Sequence, residues 1–327
     1  MRCRTSYSVP EVELTARLTE AIYNSIPKNA VPVHINISWD GLLILCISSN
    51  GIEHIHQAEI TDIEMERHVL RYLKLFRDVE KVLALPSLTT CQGLIEPISN
   101  IITTPIPRFL GDRGHIIFIP SRSLNKFPFS ALTLDEQPIF LTKDISMCPS
   151  LASLQYLTEK PRSFKGGVGV VFNDDSDGYP LNISASASIG IARQFDTAPL
   201  PTSVISHADF TQLYEASDVM FIATHGKQHP KSAWKSSLVL QPPFRVLDLS
   251  RLHSQIALAV FEACVSGLGE ETVGNDMLGF SHTVLSSGAL AFLGALWSVS
   301  DEASALLMVY FFRALKKSKG SVSIARC

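Results

Sequence analysis

Apolar and polar positions alternate from Val33 onward. Val33, Ile35 and Ile37 fall on one side of an extended chain and their polar neighbours on the other, the period-two pattern of a half-buried strand. The turn "WDG", the apolar run "LLILCIS", the turn "SNG" and a third stretch ending at Ile60 follow, so 33–60 reads as a β-meander. His54 and His56 share a face of its third strand; two histidines without a further ligand read as an exposed edge rather than a metal site. From Ile63 to Ile102 the spacing turns helical, as "MERHVLRYLKLFRDVEKVL" and then "CQGLIEPISNII", divided at Pro86. An amphipathic stretch around Val12–Ile26 and the segment "PKNAVP" make 1–30 a peripheral segment or linker.

Further along, the strands change character. "GHIIFIP" (114–120), "GGVGVVFN" (166–173), "DVMFIATHG" (218–226), "LAVFEAC" (258–264) and "ALAFLGALWSV" (289–299) are continuously apolar. Helical segments at 184–195, 208–216, 276–287 and 301–316 lie between or after them. Continuous apolar strands alternating with helices predict a mainly parallel sheet covered on both faces, an α/β fold. In such sheets sites form at the carboxyl ends of the strands. Two runs end there on chemically active residues, His225 in "FIATHG" and Cys264 in "AVFEACVSG".

Composition narrows the class. The chain has 327 residues, 46% of them hydrophobic, with mean hydropathy +0.19, enough for a large core. No uncharged apolar stretch is long enough to span a bilayer, and "MRCRTSYSVPEVELTARL" lacks the apolar centre of a signal peptide. A cytoplasmic location and no membrane partner are therefore expected. A net charge of −3 favours no nucleic-acid partner. The six cysteines lie far apart, without zinc spacing, and read as free thiols of a reducing compartment. The glycines of "KGGVG" are a weak dinucleotide signal, and neither a phosphate-cradling loop nor a G-x-S-x-G elbow is present. No metal and no cofactor are expected.

A thiol attacks a carbonyl as thiolate, an imidazole can take its proton, and the developing oxyanion needs N–H donors. His225 and Cys264 could supply base and nucleophile, and the backbone amides of Gly226 and Cys264 could supply the donors. The competing reading is two unrelated core residues at strand ends.

The surrounding text favours the first. "THG" followed by "EAC-x-x-G" resembles the caspase-like cysteine peptidases and is nearest to the CHAT domain, whose relatives include separase and the TPR-CHAT peptidases. "HIIFIPSRSLNKFPFSALTLDEQPIFLTKDISMCPSLASLQYL" (115–157), "SSLVLQPP" (236–243) and "GNDMLGFSHTVLSSGALAFLGALWSVSDEAS" (274–304) are similar to further CHAT blocks, in the same order. The resemblance covers roughly 30–327. It implies a caspase-like α/β sandwich, with 31–165 a pseudo-symmetric, non-catalytic first half and 166–327 the catalytic half. The family continues past 316 with another helix and strand, so the chain reads as truncated at its C-terminus.

The resemblance also implies roles. His225 is general base and then acid, Cys264 the nucleophile, and Gly226 and Cys264 the oxyanion donors of a cytosolic cysteine endopeptidase acting through a thioester on a protein or peptide substrate. Glu262, two residues before Cys264, and Asp276 are expected to bind substrate, favouring a basic residue before the cut. The alternatives are an internal salt bridge for Glu262 and a helix N-terminal acid for Asp276. Trp234 and Lys235 could touch substrate, His229 reads as a rim residue and His282 as a packing one. Trp297 and Asp301 are expected to shape the sheet edge and cap the following helix. The alternative function is a catalytically inactive caspase-like module that binds a protein partner; a regulatory partner is also conceivable for the enzyme.

Overall fold

A computed structural model describes residues 19–77, 87–159, 166–174, 180–271 and 277–318. The described chain forms two compact units. One draws on the chain up to Glu64, Glu96–Ser121 and the stretch from Phe129 onward to 159; the other on segments within Met65–Ile95, on Arg122–Pro128 and on the described chain from Gly166.

The first unit is built on a five-stranded sheet. The meander is β1 (Ala30–Ser38), β2 (Gly41–Ser48) and β3 (Gly51–Ala58); after it come helix α1 (Asp62–Arg77), which belongs to the second unit from Met65 on, and helix α2 (Leu88–Thr103), which belongs to the first from Glu96 on. Strands β4 (His115–Ile119) and β5 (Asp144–Met147) and helix α3 (Leu151–Thr158) complete the set. The strand order is β3-β2-β1-β4-β5. The meander pairs antiparallel, whereas β1–β4 and β4–β5 pair parallel. β3 is therefore one of the two edge strands, and His54 on it stacks on Phe109 with ring centroids 4.4 Å apart. One face buries Ile47, Ile117 and Ile119 with Ile26, Cys148 and Leu154.

The second unit carries a sheet that is parallel throughout. Its elements are β6 (Val168–Phe172), α4 (Asn182–Gln194), β7 (Leu200–Pro201), α5 (His207–Ala216) and β8 (Val219–Ala223). They continue with the short strands β9 (Gly226–Lys227), β10 (Ser237–Leu238) and β11 (Phe244–Arg245), then β12 (Leu258–Glu262). The pair β13 (Gly269–Glu271) and β14 (Met277–Gly279), helix α6 (Phe280–Ser286), β15 (Ala291–Gly294) and α7 (Asp301–Ser318) close the sequence. The main sheet runs β15-β12-β8-β6-β7, all pairs parallel. The continuous apolar runs follow from this: both faces are covered, so both side-chain sets are apolar. Met220, Ile222, Ala259, Phe261 and Ala263 pack with α5 and α6 residues such as Phe210 and Phe280. Val219, Phe221, Ala223, Leu258 and Val260 pack with Ile191 of α4 and Met308, Phe311 and Phe312 of α7. The mixed α/β organisation is that of the caspase-like fold.

The element predictions need two corrections. The helix expected over 276–287 begins at Phe280, because Met277–Gly279 pairs with Gly269–Glu271 as an antiparallel arm. Its glycines permit the approach: a Cβ on Gly279 would lie 2.7 Å from the Leu268 carbonyl oxygen, and one on Gly269 2.5 Å from that of Leu278. The strand expected over 289–299 pairs only through Ala291–Gly294; the chain beyond turns to other contacts described below. Among the described residues no helix is long and apolar enough to cross a membrane.

Candidate active site

The register of β8 and β12 runs from Val219 opposite Leu258 to Ala223 opposite Glu262. One step further the Thr224 N–H donates to the Glu262 carbonyl at 3.2 Å, so the ladder outlasts the strands. The paired register ends there, and His225 and Cys264 are each the second residue past their strand's last paired position. Both residues are half-buried.

Gly226 lies directly against the backbone of Cys264. A Cβ there would meet the Cys264 carbonyl oxygen at 2.5 Å, so only glycine fits. Val239 N–H donates to the His225 carbonyl at 2.9 Å, with Gly226 paired to Leu238. This pairing turns the Gly226 amide to the strand edge away from β10. The Cys264 amide donates to no acceptor among the described residues. Neither the Gly226 nor the Cys264 amide thus meets an acceptor among the described residues.

The turn after Cys264 is tightly held. Val265 has φ 54, a left-handed conformation that a β-branched residue adopts only when surroundings impose it. Its N–H donates to the Trp297 carbonyl at 3.3 Å, and Gly267 N–H to the Ala295 carbonyl at 2.8 Å. The buried Ser266 hydroxyl donates to Phe261 O and accepts from Ala295 N. Ser266 and Val265 carry no sequence signal of their own beyond adjacency to the cysteine.

Glu262 ends β12 with 8% of its surface exposed. Its Oε1 accepts from Ser184 Oγ at 2.7 Å, and Oε2 has no hydrogen-bond partner among the described residues. Ser184 Oγ also contacts Asp301 Oδ1. Burial pushes the Glu262 carboxyl above its ordinary range; the Ser304 and Ser184 hydroxyls oppose this and the Asp301 charge adds to it. The Ser304 hydroxyl, though near, donates to the Ser300 and Asp301 carbonyls. Among the described residues Glu262 has no internal salt bridge: a hydroxyl, not a cation, meets its carboxyl. Asp301 also departs from expectation. Its carboxylate accepts from Ile183 N and Ser184 N, capping α4, while the Ser300 hydroxyl accepts from Ala303 N at the start of α7. Helix α4 has no side-chain cap of its own, which leaves its first amides open to a distant acid. Nothing in "NISASASIG" marks Ser184 as the residue that meets two carboxyls.

Asp276, the other expected substrate ligand, lies outside the described residues. The loop after β9 carries Trp234, 40% exposed, beside exposed Lys231 and Lys235. Its Ala233 amide is tied to Glu270 Oε2 at 3.0 Å. His229 sits in the same loop and accepts from Lys231 N through Nδ1, and His282 is half-buried on α6. No cluster of three or more metal-ligating side chains occurs among the described residues.

No curated protein is similar enough to the chain to count as a relative. A family model, that of the CHAT domain, matches residues 92–325 and so takes in both strand ends, the turn after Cys264 and α7. With most of its length inside that match, the chain belongs to the CHAT-domain family, a caspase-like group related to the cysteine peptidases.

Proposed function

We propose that the chain is a cysteine endopeptidase using Cys264 and His225 as a dyad. The observation that carries this reading is that His225 and Cys264 each follow the end of one of two neighbouring parallel strands, with Gly226 packed against the Cys264 carbonyl and neither the Gly226 nor the Cys264 amide donating to an acceptor among the described residues. His225 takes the thiol proton, and the sulfur attacks the scissile carbonyl carbon. The resulting oxyanion accepts from the Gly226 and Cys264 amides. The C–N bond breaks as His225 returns the proton to the leaving amine, leaving a thioester. Water, deprotonated by His225, attacks the thioester, and the acid product leaves as the thiol reforms. The free thiols of Cys46, Cys91, Cys148 and Cys264 support a reducing, cytosolic setting.

For the residue before the cut, the reading is a lysine or arginine. Glu262 lies two residues before the nucleophile, and a substrate cation would complete the hydrogen bonding of Oε2; Asp276 is a second candidate for the same pocket. The test is a panel of quenched fluorogenic peptides that differ before the cut. Turnover is expected after Arg and Lys, and Cys264→Ala should lower kcat by about 10⁴-fold or more. Equal cleavage after Ala, Asp and Arg would remove Glu262 from specificity. Wild-type protein that binds peptides without cutting any would replace the enzyme by a binding module.

A further inference from the structure

We propose that Trp297 is a positioning residue for Cys264, its indole pinning the segment on which the nucleophile's turn rests. The inference rests on Cys264 being the nucleophile. Residues 295–300 lie between β15 and α7 and belong to no ladder or helix. Yet that segment supplies three of the contacts that shape the turn. The Ala295 carbonyl receives Gly267 N, the Ala295 amide reaches Ser266 Oγ, and the Trp297 carbonyl receives Val265 N. A Cβ on Gly267 would approach the Ala295 carbonyl oxygen to 3.1 Å, so the two stretches lie against each other. Moving 295–297 would therefore release Val265 from a conformation it does not keep unaided, and redirect the adjoining Cys264.

What fixes the segment is its largest side chain. The Trp297 ring stacks on Phe76, centroids 4.3 Å apart and planes at 15°, and meets Tyr72 edge-on at 6.3 Å. Tyr72, only 4% exposed, is backed in turn by fully buried Phe127. Phe76 and Tyr72 lie on α1, far upstream in sequence but within the same compact unit as Cys264. An aromatic nest on α1 thus holds the indole, the indole's own backbone holds Val265, and Val265 aims the thiol. Stacked rings of this kind have preferred relative geometry, which a merely greasy contact would not impose.

The experiment compares wild type with Trp297→Ala, Trp297→Phe and Phe210→Leu, the last being a change in a core cluster that includes none of Trp297, Tyr72 and Phe76. Amide exchange at Val265 and Gly267, the pH profile of Cys264 alkylation by iodoacetamide, and kcat and KM on a basic peptide are measured. Trp297→Ala should lose protection at both amides, move the alkylation profile to higher pH, and slow alkylation at neutral pH and kcat by about ten- to a hundredfold with KM little changed. Trp297→Phe should restore most of this, and Phe210→Leu should lower only the melting temperature. Unchanged exchange and alkylation in folded Trp297→Ala, equal effects of Phe210→Leu, or no rescue by phenylalanine would each overturn the proposal. If wild type cleaves no peptide, the peptidase reading falls by itself; exchange and alkylation still decide the role of Trp297.

Discussion

At the scale of single residues, Glu262 is held in a setting that opposes its charge: burial and the nearby Asp301 carboxylate outweigh the hydroxyls that favour ionisation. A carboxyl whose folded value is raised contributes stability that is full below its unfolded pKa and lost as pH rises through the folded one. Glu262→Gln keeps the shape and cannot ionise, so it should gain on wild type in melting temperature between about pH 5 and about pH 8, with the advantage larger at the higher value. Thermal melts of both proteins at the two values read this directly, and a constant difference would show that Glu262 does not ionise differently on folding. The same substitution should weaken cleavage after basic residues, which links the stability measurement to the peptide panel. Residue-scale chemistry was partly legible in the sequence. Cys264 and His225 stood out because each ends an apolar run, whereas Ser184 and Ser266 are small hydroxyls whose importance comes from what packs over them.

At the scale of elements, continuous apolar runs revealed the parallel strands β6, β8, β12 and β15 because burial on both faces removes polar positions from the pattern. The arm of β13 and β14 was not legible. "NDMLGFSHTVL" has helical spacing, but the backbone of Gly279 lies against Leu268 and Gly269 too closely for any side chain. Gly279 is extended, so space and not conformation demands glycine there. Gly279→Ala should force the arm open and destabilise the unit by about 1–3 kcal/mol, as overpacking does. Urea denaturation followed by tryptophan fluorescence measures it; wild-type stability in the variant would mean that the arm shifts without cost. Asp301 teaches a related lesson. Its sequence neighbourhood suggests a cap for the helix it begins, yet the helix with unclaimed amides is α4, and only tertiary placement decides between the two.

For the whole molecule, the thiols divide between the units. Cys46 and Cys148 belong to the first, and burial pushes each thiol up to about 11. They should resist alkylation at about pH 8 until that unit opens, since the reactive species is the thiolate. Half-exposed Cys264 should react well before. Peptide-level mass spectrometry across a urea series would report the opening of the first unit from Cys46 and Cys148 together. Labelling of either in the absence of urea would contradict the burial described. The sequence divides the chain into an early and a late half, while the second unit also takes segments within Met65–Ile95 and Arg122–Pro128 from the early one. No local pattern signals that, because a buried stripe such as Met65, Val69, Tyr72 and Leu73 says only that a helix is covered, not by what.

This interleaving bears on how the protein is born. Synthesis proceeds from the N-terminus, and Tyr72 and Phe76 leave the ribosome long before the tryptophan that stacks on Phe76 has been made. The aromatic surface of α1 must wait, uncovered, while the intervening chain is translated. A gene fragment beginning at β6 would yield every strand of the parallel sheet and still lack the rings against which Trp297 rests.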